Sequence, residues 1–383
     1  MTGFTFYEFF AGGGMARAGL GESWTCLFAN DFDLKKRATY IHRWGEAELS
    51  TKDVRLVTVD ELPEKPDLAW ASFPCQDLSL AGGGAGLKGD RSGTFWPFWR
   101  LMEQLIGDGR APSIIALENV IGALTSHGGK DFASICSVVT KAGYRFGAMV
   151  IDASFFVPQS RPRLFIIGVR HDLAIPPGLA RPDPSPIWHP RGLRRAYEVA
   201  SSVAPIDWVW WATPTPQART NTFADIIEDD PKDVDWHTPQ ETKRVLSMMS
   251  EVNLAKVELA KSSGCRMVGA VYRRTRFDAC GEKIQRAEVR FDDVAGCLRT
   301  PAGGSSRQLI LVVEGKAVRS RLISGRETAR LMGLPDSYVL PRNYNETYHL
   351  TGDGVVVPVV RHLAKFLFEP ILAAHAFNRS EAA

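Results

Sequence analysis

The chain has 383 residues, 45% hydrophobic and 23% charged, with a formal net charge of +3. That balance is ordinary for a soluble globular protein with room for one large domain and a smaller one, and the charge alone does not identify a nucleic-acid binder. No run of about twenty apolar residues and no signal-peptide pattern is present, which predicts no membrane partner and a cytoplasmic location. The six scattered cysteines lack a CxxC pair, which argues against a metal site and against a disulfide framework.

Phe4 to Phe10 is an aromatic, β-prone segment that runs into Ala11-Gly12-Gly13-Gly14, and Met15 to Leu20 reads as the start of a helix. Strand, glycine turn and helix together open a nucleotide-binding α/β sheet, where glycines let a ligand approach the backbone. A second strand, Thr25 to Ala29, ends in Asn30-Asp31-Phe32-Asp33. That places a carboxylate about twenty residues on, where a ribose hydroxyl is held. Asp53-Val54 reads as a third acidic strand end. Asp31 and Asp53 read equally well as helix N-caps.

Leu68 to Ala71 is the end of a buried strand that passes into Ser72-Phe73-Pro74-Cys75-Gln76, followed by a glycine-rich run from Ala81 to Gly93. A lone cysteine is more often structural. Cys75 instead sits on a proline-bearing turn at a strand's C-terminal end, beside a loop, as a nucleophile would. Beyond the loop a helix extends through Met102, and Ser113 to Leu117 forms a buried strand with Glu118 at its tip. Tyr144 to Ala153 and Arg163 to Val169 read as an antiparallel pair. Arg161 and Arg163, at alternate positions of an extended segment, offer donors to a phosphate or carbonyl.

From Arg181 onward Pro182, Pro184, Pro186 and Pro190 suggest a domain crossing. The tryptophans that follow, Trp188, Trp208, Trp210, Trp211 and Trp236, read as core ahead of base contacts. Thr238 to Ala260 is expected to be one helix with Thr238 as N-cap and Pro239 in its first turn. A basic patch follows, Arg266, Arg273, Arg274, Arg276, Lys283, Arg286 and Arg290, which has the electrostatic footprint of a DNA contact. Gly325 to Leu334 is expected to be helical, as is Val357 to Ala374, which returns to the large domain beside the first strand.

The ordered stretches FFAGGG, NDFD, FPCQ, ENV and QSRPR resemble the DNA (cytosine-5)-methyltransferases. Arg326 to Asp336 is similar to that family's RExARLxGxPD signature, and Gly352 to Val359 to its closing GNxV motif, with Asp353 where the family has Asn. Cys297 likewise stands in place of a Thr. The resemblance implies an α/β fold: a Rossmann-like S-adenosylmethionine-dependent methyltransferase domain, with a smaller inserted target-recognition domain. The expected division is 1–180 completed by 343–383 for catalysis and 181–342 for the small domain, with DNA reading at about 181–318.

By the same resemblance the catalytic set is Cys75, Glu118, Arg161 and Arg163 with Pro74, Gln76 and Asn119. Cofactor binding falls to Phe10, Ala11, Gly12, Gly14, Asp31, Phe32, Asp53, Val54, Pro74, Phe95, Asp353 and Val355. DNA contacts fall to Ser79, Gln159, Arg273, Arg274, Arg276, Arg299, Gly303 and Gly304. S-adenosyl-L-methionine is the implied cofactor, no metal is implied, and double-stranded DNA is the implied partner of a monomer. Whether a cognate restriction endonuclease accompanies it is left open, as are the recognition sequence and the base that removes the C5 proton. Two alternatives stand beside this reading. One is a cytosine-5 transfer-RNA methyltransferase, although neither Cys265 nor Cys280 opens that relative's CFT tripeptide. The other is a catalytically inactive DNA-binding protein.

Overall fold

The computed structural model describes residues 3–74, 92–277, 280–300 and 307–381. Two compact units are present: Met1–Asp152, Pro162–Pro216 and Val355–Ala383 in one, Ala153–Arg161 and Gln217–Gly354 in the other.

The first unit is built on a seven-stranded sheet: β1 (Phe4–Phe9), β2 (Trp24–Asn30), β3 (Leu49–Ser50), β4 (Leu68–Ala71), β5 (Ile114–Val120), β6 (Tyr144–Asp152) and β7 (Pro162–Arg170). Their order is β3-β2-β1-β4-β5-β7-β6. The first five are parallel, and β7 runs antiparallel to both neighbours. β4 is buried along its whole length and β5 along all but its last residue, as strands covered on both faces must be. The chain order reverses direction between β1 and β4, so their carboxyl ends open a crevice of the kind that holds ligands in open α/β sheets.

Helices α1 (Met15–Leu20), α2 (Leu34–Trp44), α3 (Phe95–Gly107) and α4 (Lys130–Lys141) connect the strands. The sequence placed a domain crossing at residue 181, but residues up to Pro216 belong to this first unit. The physical reason is the edge of β6. Val150 N donates to Trp188 O at 2.8 Å, Val209 N to Phe146 O at 2.8 Å, and Trp211 Nε1 to Ile167 O at 3.0 Å. The segment therefore covers an open strand edge. The short strands β8 (Ala180–Arg181) and β9 (Trp210–Trp211) pair there, and α5 (Arg191–Val203) packs on α4. Trp188 and Trp211 are core residues.

In the second unit the expected long helix is two. α6 (Pro239–Ser247) starts with the predicted Thr238 cap, and α7 (Glu251–Ser262) follows a break. The break exists because Met249 is buried in the core, and Met248 O accepts from Ala287 N at 3.0 Å. Strands β10 (Met267–Phe277), β11 (Lys283–Arg290), β12 (Leu309–Glu314) and β13 (Ala317–Leu322) form an antiparallel sheet in the order β11-β10-β12-β13. α8 (Gly325–Leu331) and α9 (Tyr344–Asp353) complete this unit.

The C-terminal segment returns to the first unit as α10 (Val357–Leu363) and α11 (Glu369–Glu381), joined by a π-type turn over Ala364–Phe368. It packs on α1, the helix that follows the first strand. Gly19 is glycine because a methyl group there would lie 2.4 Å from Val360 Cβ. Arg361 Nη1 donates to Leu20 O and to Glu369, which also accepts from Trp24 Nε1. No helix among the described residues is long and apolar enough to cross a membrane.

Candidate active site

At the carboxyl edge of the first unit's sheet, the loops after β1 and β2 are laced together. Ala11 N donates to Asn30 O at 3.0 Å. Asp31 accepts from Gly12 N at 2.7 Å and from Asp33 N at 2.8 Å. Its burial pushes the carboxyl pKa up against those two amides and the charge of Lys36. Asp33, not Asp31, caps α2, so the buried Asp31 fixes the glycine loop. Phe10 takes a left-handed conformation with φ 60°, which is uncommon for a residue with a Cβ. Phe32, next to Asp31, is 62% exposed, an aromatic face left to the solvent at the tip of β2.

The two glycines expected to admit a ligand differ. Around Gly12 (φ 56°) an added Cβ meets, among the described residues, only Lys36 Cδ, at 3.9 Å. At Gly14 (φ 76°) the same atom would lie 2.4 Å from Trp44 Nε1. Gly14 is thus needed for packing against α2, and Gly12 is the position with open space. Asp53 caps a helical turn by accepting from Arg55 N at 2.9 Å and binds the Arg55 guanidinium at 2.7 Å, which lowers its pKa. Val54 beside it is buried.

Sequence reasoning missed Glu8. It lies inside β1, 1% exposed, and accepts from Arg17 N in the first turn of α1 at 3.3 Å. Among the described residues its Oε2 has no hydrogen-bond partner, and burial pushes its pKa up to about 8. A carboxyl group in the aromatic-rich run FTFYEFF was the available signal.

Along the same edge β4 ends in the turn toward Cys75. Ser72 N donates to Phe9 O at 3.3 Å, and the Phe73 ring packs on buried Phe95 with centroids 5.4 Å apart. Phe95, expected near the cofactor, thus supports the turn from below. Asn119 Nδ2 donates to Phe73 O at 3.3 Å, while its Oδ1 accepts from Val120 N at 2.8 Å. Asn119 therefore ties the tip of β5 to the residue before Pro74, which is half-buried. One residue earlier, Glu118 Oε1 lies 3.3 Å from Arg163 Nε, with both side chains largely buried. The antiparallel β7 makes this possible by starting at the edge where β5 ends, with Val120 opposite Arg163. Cys75, Gln76 and Ser79 lie outside the described residues, as do Gly303 and Gly304.

The remaining expected site residues belong to the second unit, Val355 excepted, which is buried in the first. Arg161 is 2% exposed; its guanidinium donates to the carbonyls of Leu298 (2.9 Å), Gly352 (2.8 Å) and Gly354 (2.8 Å). Gln159 is wholly buried, donating to Leu331 O at 2.8 Å and accepting from Leu298 N at 3.1 Å. Arg161, expected to support the catalytic site electrostatically, and Gln159, expected at DNA, make these bonds within their own unit. Asp353 ends α9 and its Oδ1 accepts from Thr300 Oγ1 at 2.8 Å. Arg273, Arg274, Arg276 and Arg299 are exposed. Among the described residues no group of three or more His, Cys, Asp or Glu is placed to hold a metal ion.

A family model described as C-5 cytosine-specific DNA methylase matches residues 4–369. Type II methyltransferase M.HpaII of Haemophilus parainfluenzae is 26% identical over 386 residues, covering 96% of this chain and 90% of that protein. Type II methyltransferase M.HhaI of Haemophilus parahaemolyticus is 24% identical, covering 95% of this chain and 94% of that protein. The crystal structure of the S. pombe Dnmt2 methyltransferase shares the fold, with a TM-score of 0.57 at 17% identity over 96% of this chain and 98% of that one.

Proposed function

The chain belongs to the C-5 cytosine-specific DNA methylase family, and from that premise we propose how its residues carry the reaction. It is a DNA (cytosine-5)-methyltransferase that uses S-adenosyl-L-methionine. The donor supplies an electrophilic methyl group when bound. The residues at the sheet edge suit it: Asp31 for the ribose, the exposed Phe32 face for the adenine, and the open backbone at Gly12. Asp53 meets the adenine amine only with the oxygen capacity that Arg55 leaves.

Cytosine C5 is too poor a nucleophile to take a methyl group directly, so a thiolate must first add to C6. In our reading the Cys75 sulfur forms that bond, and the electron pair of the C5–C6 double bond is displaced into the ring toward N3 and O2. Glu118 holds N3 and the 4-amino group, and Arg163 holds O2. The returning pair forms the bond from C5 to the methyl carbon, whose bond to the donor's sulfur would break; a base then takes the C5 proton, and the C5–H pair restores the double bond as Cys75 leaves as thiolate. A duplex base reaches such a site only when flipped out of the stack. The exposed Arg273, Arg274, Arg276 and Arg299 are assigned to DNA, within a target-recognition region inside the second unit.

One observation carries the reading. The Glu118–Arg163 pair lies beside Asn119, which holds the Phe73 carbonyl two residues before Cys75. The test is a duplex whose target cytosine carries fluorine at C5. Fluorine cannot leave as a proton does, so the wild-type enzyme should stop as a covalent adduct once the methyl has transferred. Cys75→Ala should give none, and an undiminished adduct in that variant would overturn the assignment.

A further inference from the structure

The hairpin β10–β11 outgrows its sheet. β10 pairs with β12 only over Met267–Val271, but with β11 from Ala270 to Phe277. Beyond Val271 it is therefore a two-stranded ribbon, and Arg273 to Phe277, Lys283, Gln285 and Arg286 are exposed on it. Its root is held firmly. Lys256 Nζ donates to Val289 O at 3.1 Å, Val289 N donates to Asn253 Oδ1 at 3.1 Å, and Ala287 is buried against Met249.

Strand alternation and the pairing register divide the ribbon into two faces. One carries Tyr272, Arg274, Arg276, Arg286 and Glu288, and there Arg274 and Arg276 are both tied to Glu288. Arg276 Nη2 lies 2.7 Å from Glu288 Oε1, and Arg274 Nε lies 3.4 Å from Glu288 Oε2. The other face carries Arg273, Thr275, Phe277, Lys283 and Gln285, with no acidic residue among them. There Gln285 Nε2 donates across the strands to Thr275 Oγ1 at 2.8 Å. That bond fixes the amide and leaves its Oε1 and second N–H as an adjacent acceptor and donor. A fixed glutamine amide matches the donor–acceptor edge that adenine presents in the major groove, and a two-stranded ribbon fits that groove.

We propose that this ribbon enters the DNA major groove with its Thr275–Gln285 face toward the bases, Gln285 reading a base edge, and that the Glu288 face turns toward the backbone. The inference rests on the reading of the chain as a DNA methylase. The measurement is methylation of a library of random duplexes with S-adenosylmethionine, with the methylated sites sequenced. Gln285→Ala should relax one position of the recognised site, raising methylation of near-cognate sites roughly tenfold relative to the cognate one. Arg276→Ala should instead weaken binding about equally on all sequences, with a shallower salt dependence and an unchanged site. Equal thermal melting of both variants and wild type separates these effects from misfolding. An unchanged site preference in Gln285→Ala, or a relaxed one in Arg276→Ala, overturns the assignment of faces. If the wild-type protein methylates no duplex, the functional reading itself fails and the ribbon proposal falls with it.

Discussion

Replacing Glu8 by Gln should change how stability depends on pH. The carboxyl is wholly buried in β1, and desolvation pushes its pKa up to about 8 from an ordinary 4.5. A folded-state pKa above the unfolded one means that the unfolded chain releases a proton which the folded chain keeps. Glu8 therefore costs nothing below about pH 4.5, and an increasing amount as pH rises toward 8. The loss approaches ~1.4 kcal/mol for each pH unit across that window. Glutamine keeps the oxygen that accepts from Arg17 N but does not ionise. Its amide N–H group, placed where Oε2 now lacks a partner, carries a desolvation penalty of about 1–3 kcal/mol that does not vary with pH. The diagnostic is the slope. Urea unfolding followed by tryptophan fluorescence at pH 5, 6, 7 and 8 should show Glu8→Gln gaining on wild type steadily from acid to alkaline. The opposing contributions of Asp31, raised, and Asp53 and Glu61, lowered, cancel in the difference. A constant difference at all four pH values would mean that Glu8 is ionised in the folded protein, and the reasoning would be refuted.

Gly14→Ala should destabilise the protein by about 2–4 kcal/mol, from left-handed strain and the Trp44 overlap, measured by the same urea titration. Gly12→Ala, strained but unobstructed, should cost only about 1–2 kcal/mol and show its main effect in calorimetric cofactor affinity; equal stability losses in the two would contradict this distinction. Asp353→Asn should be mild, since Asn can still accept from Thr300 Oγ1. A loss of cofactor affinity above tenfold, or about 1.4 kcal/mol by calorimetry at fixed salt, would make the carboxylate a required cofactor ligand.

The parallel strands were legible because each is a short apolar run with a polar tip. Phe4–Phe9, Leu68–Ala71 and Ile114–Val120 sit where hydrophobic pattern and turn residues put them. Their order in the sheet then brings Asp31, Phe73 and Glu118 to one edge. What stayed hidden depends on long-range contacts. The prolines after Arg181 looked like a linker because nothing local shows that Trp188 and Val209 cover β6. Arg161 and Arg163 are alike in sequence, yet one meets backbone carbonyls and the other Glu118. Gly14 and Gly12 are likewise alike until Trp44 is placed.

The stretch Arg326 to Asp336 shows why a motif can be recognisable without carrying chemistry. Arg321 and Glu327 form a two-pronged ion pair with no exposed surface on either side chain, at 2.5 and 2.8 Å. Isolated, such a pair recovers its desolvation cost only with further hydrogen bonds. Glu327 receives them from Ser324 N and Glu228 N, both at 2.7 Å, while Arg321 donates to Glu228 O. Trp236 lies over the guanidinium at 4.7 Å. Arg326 and Arg330 reach outward to Tyr338 O and Asp336, closing the turn after α8. Every charge in the stretch thus serves the geometry of its own unit. An apolar substitute would lose the interactions that join residues 228 and 236 to residues 321 and 327, two stretches far apart in the chain. That supplies a structural reason for these residue types at this spacing, independent of any contact with substrate.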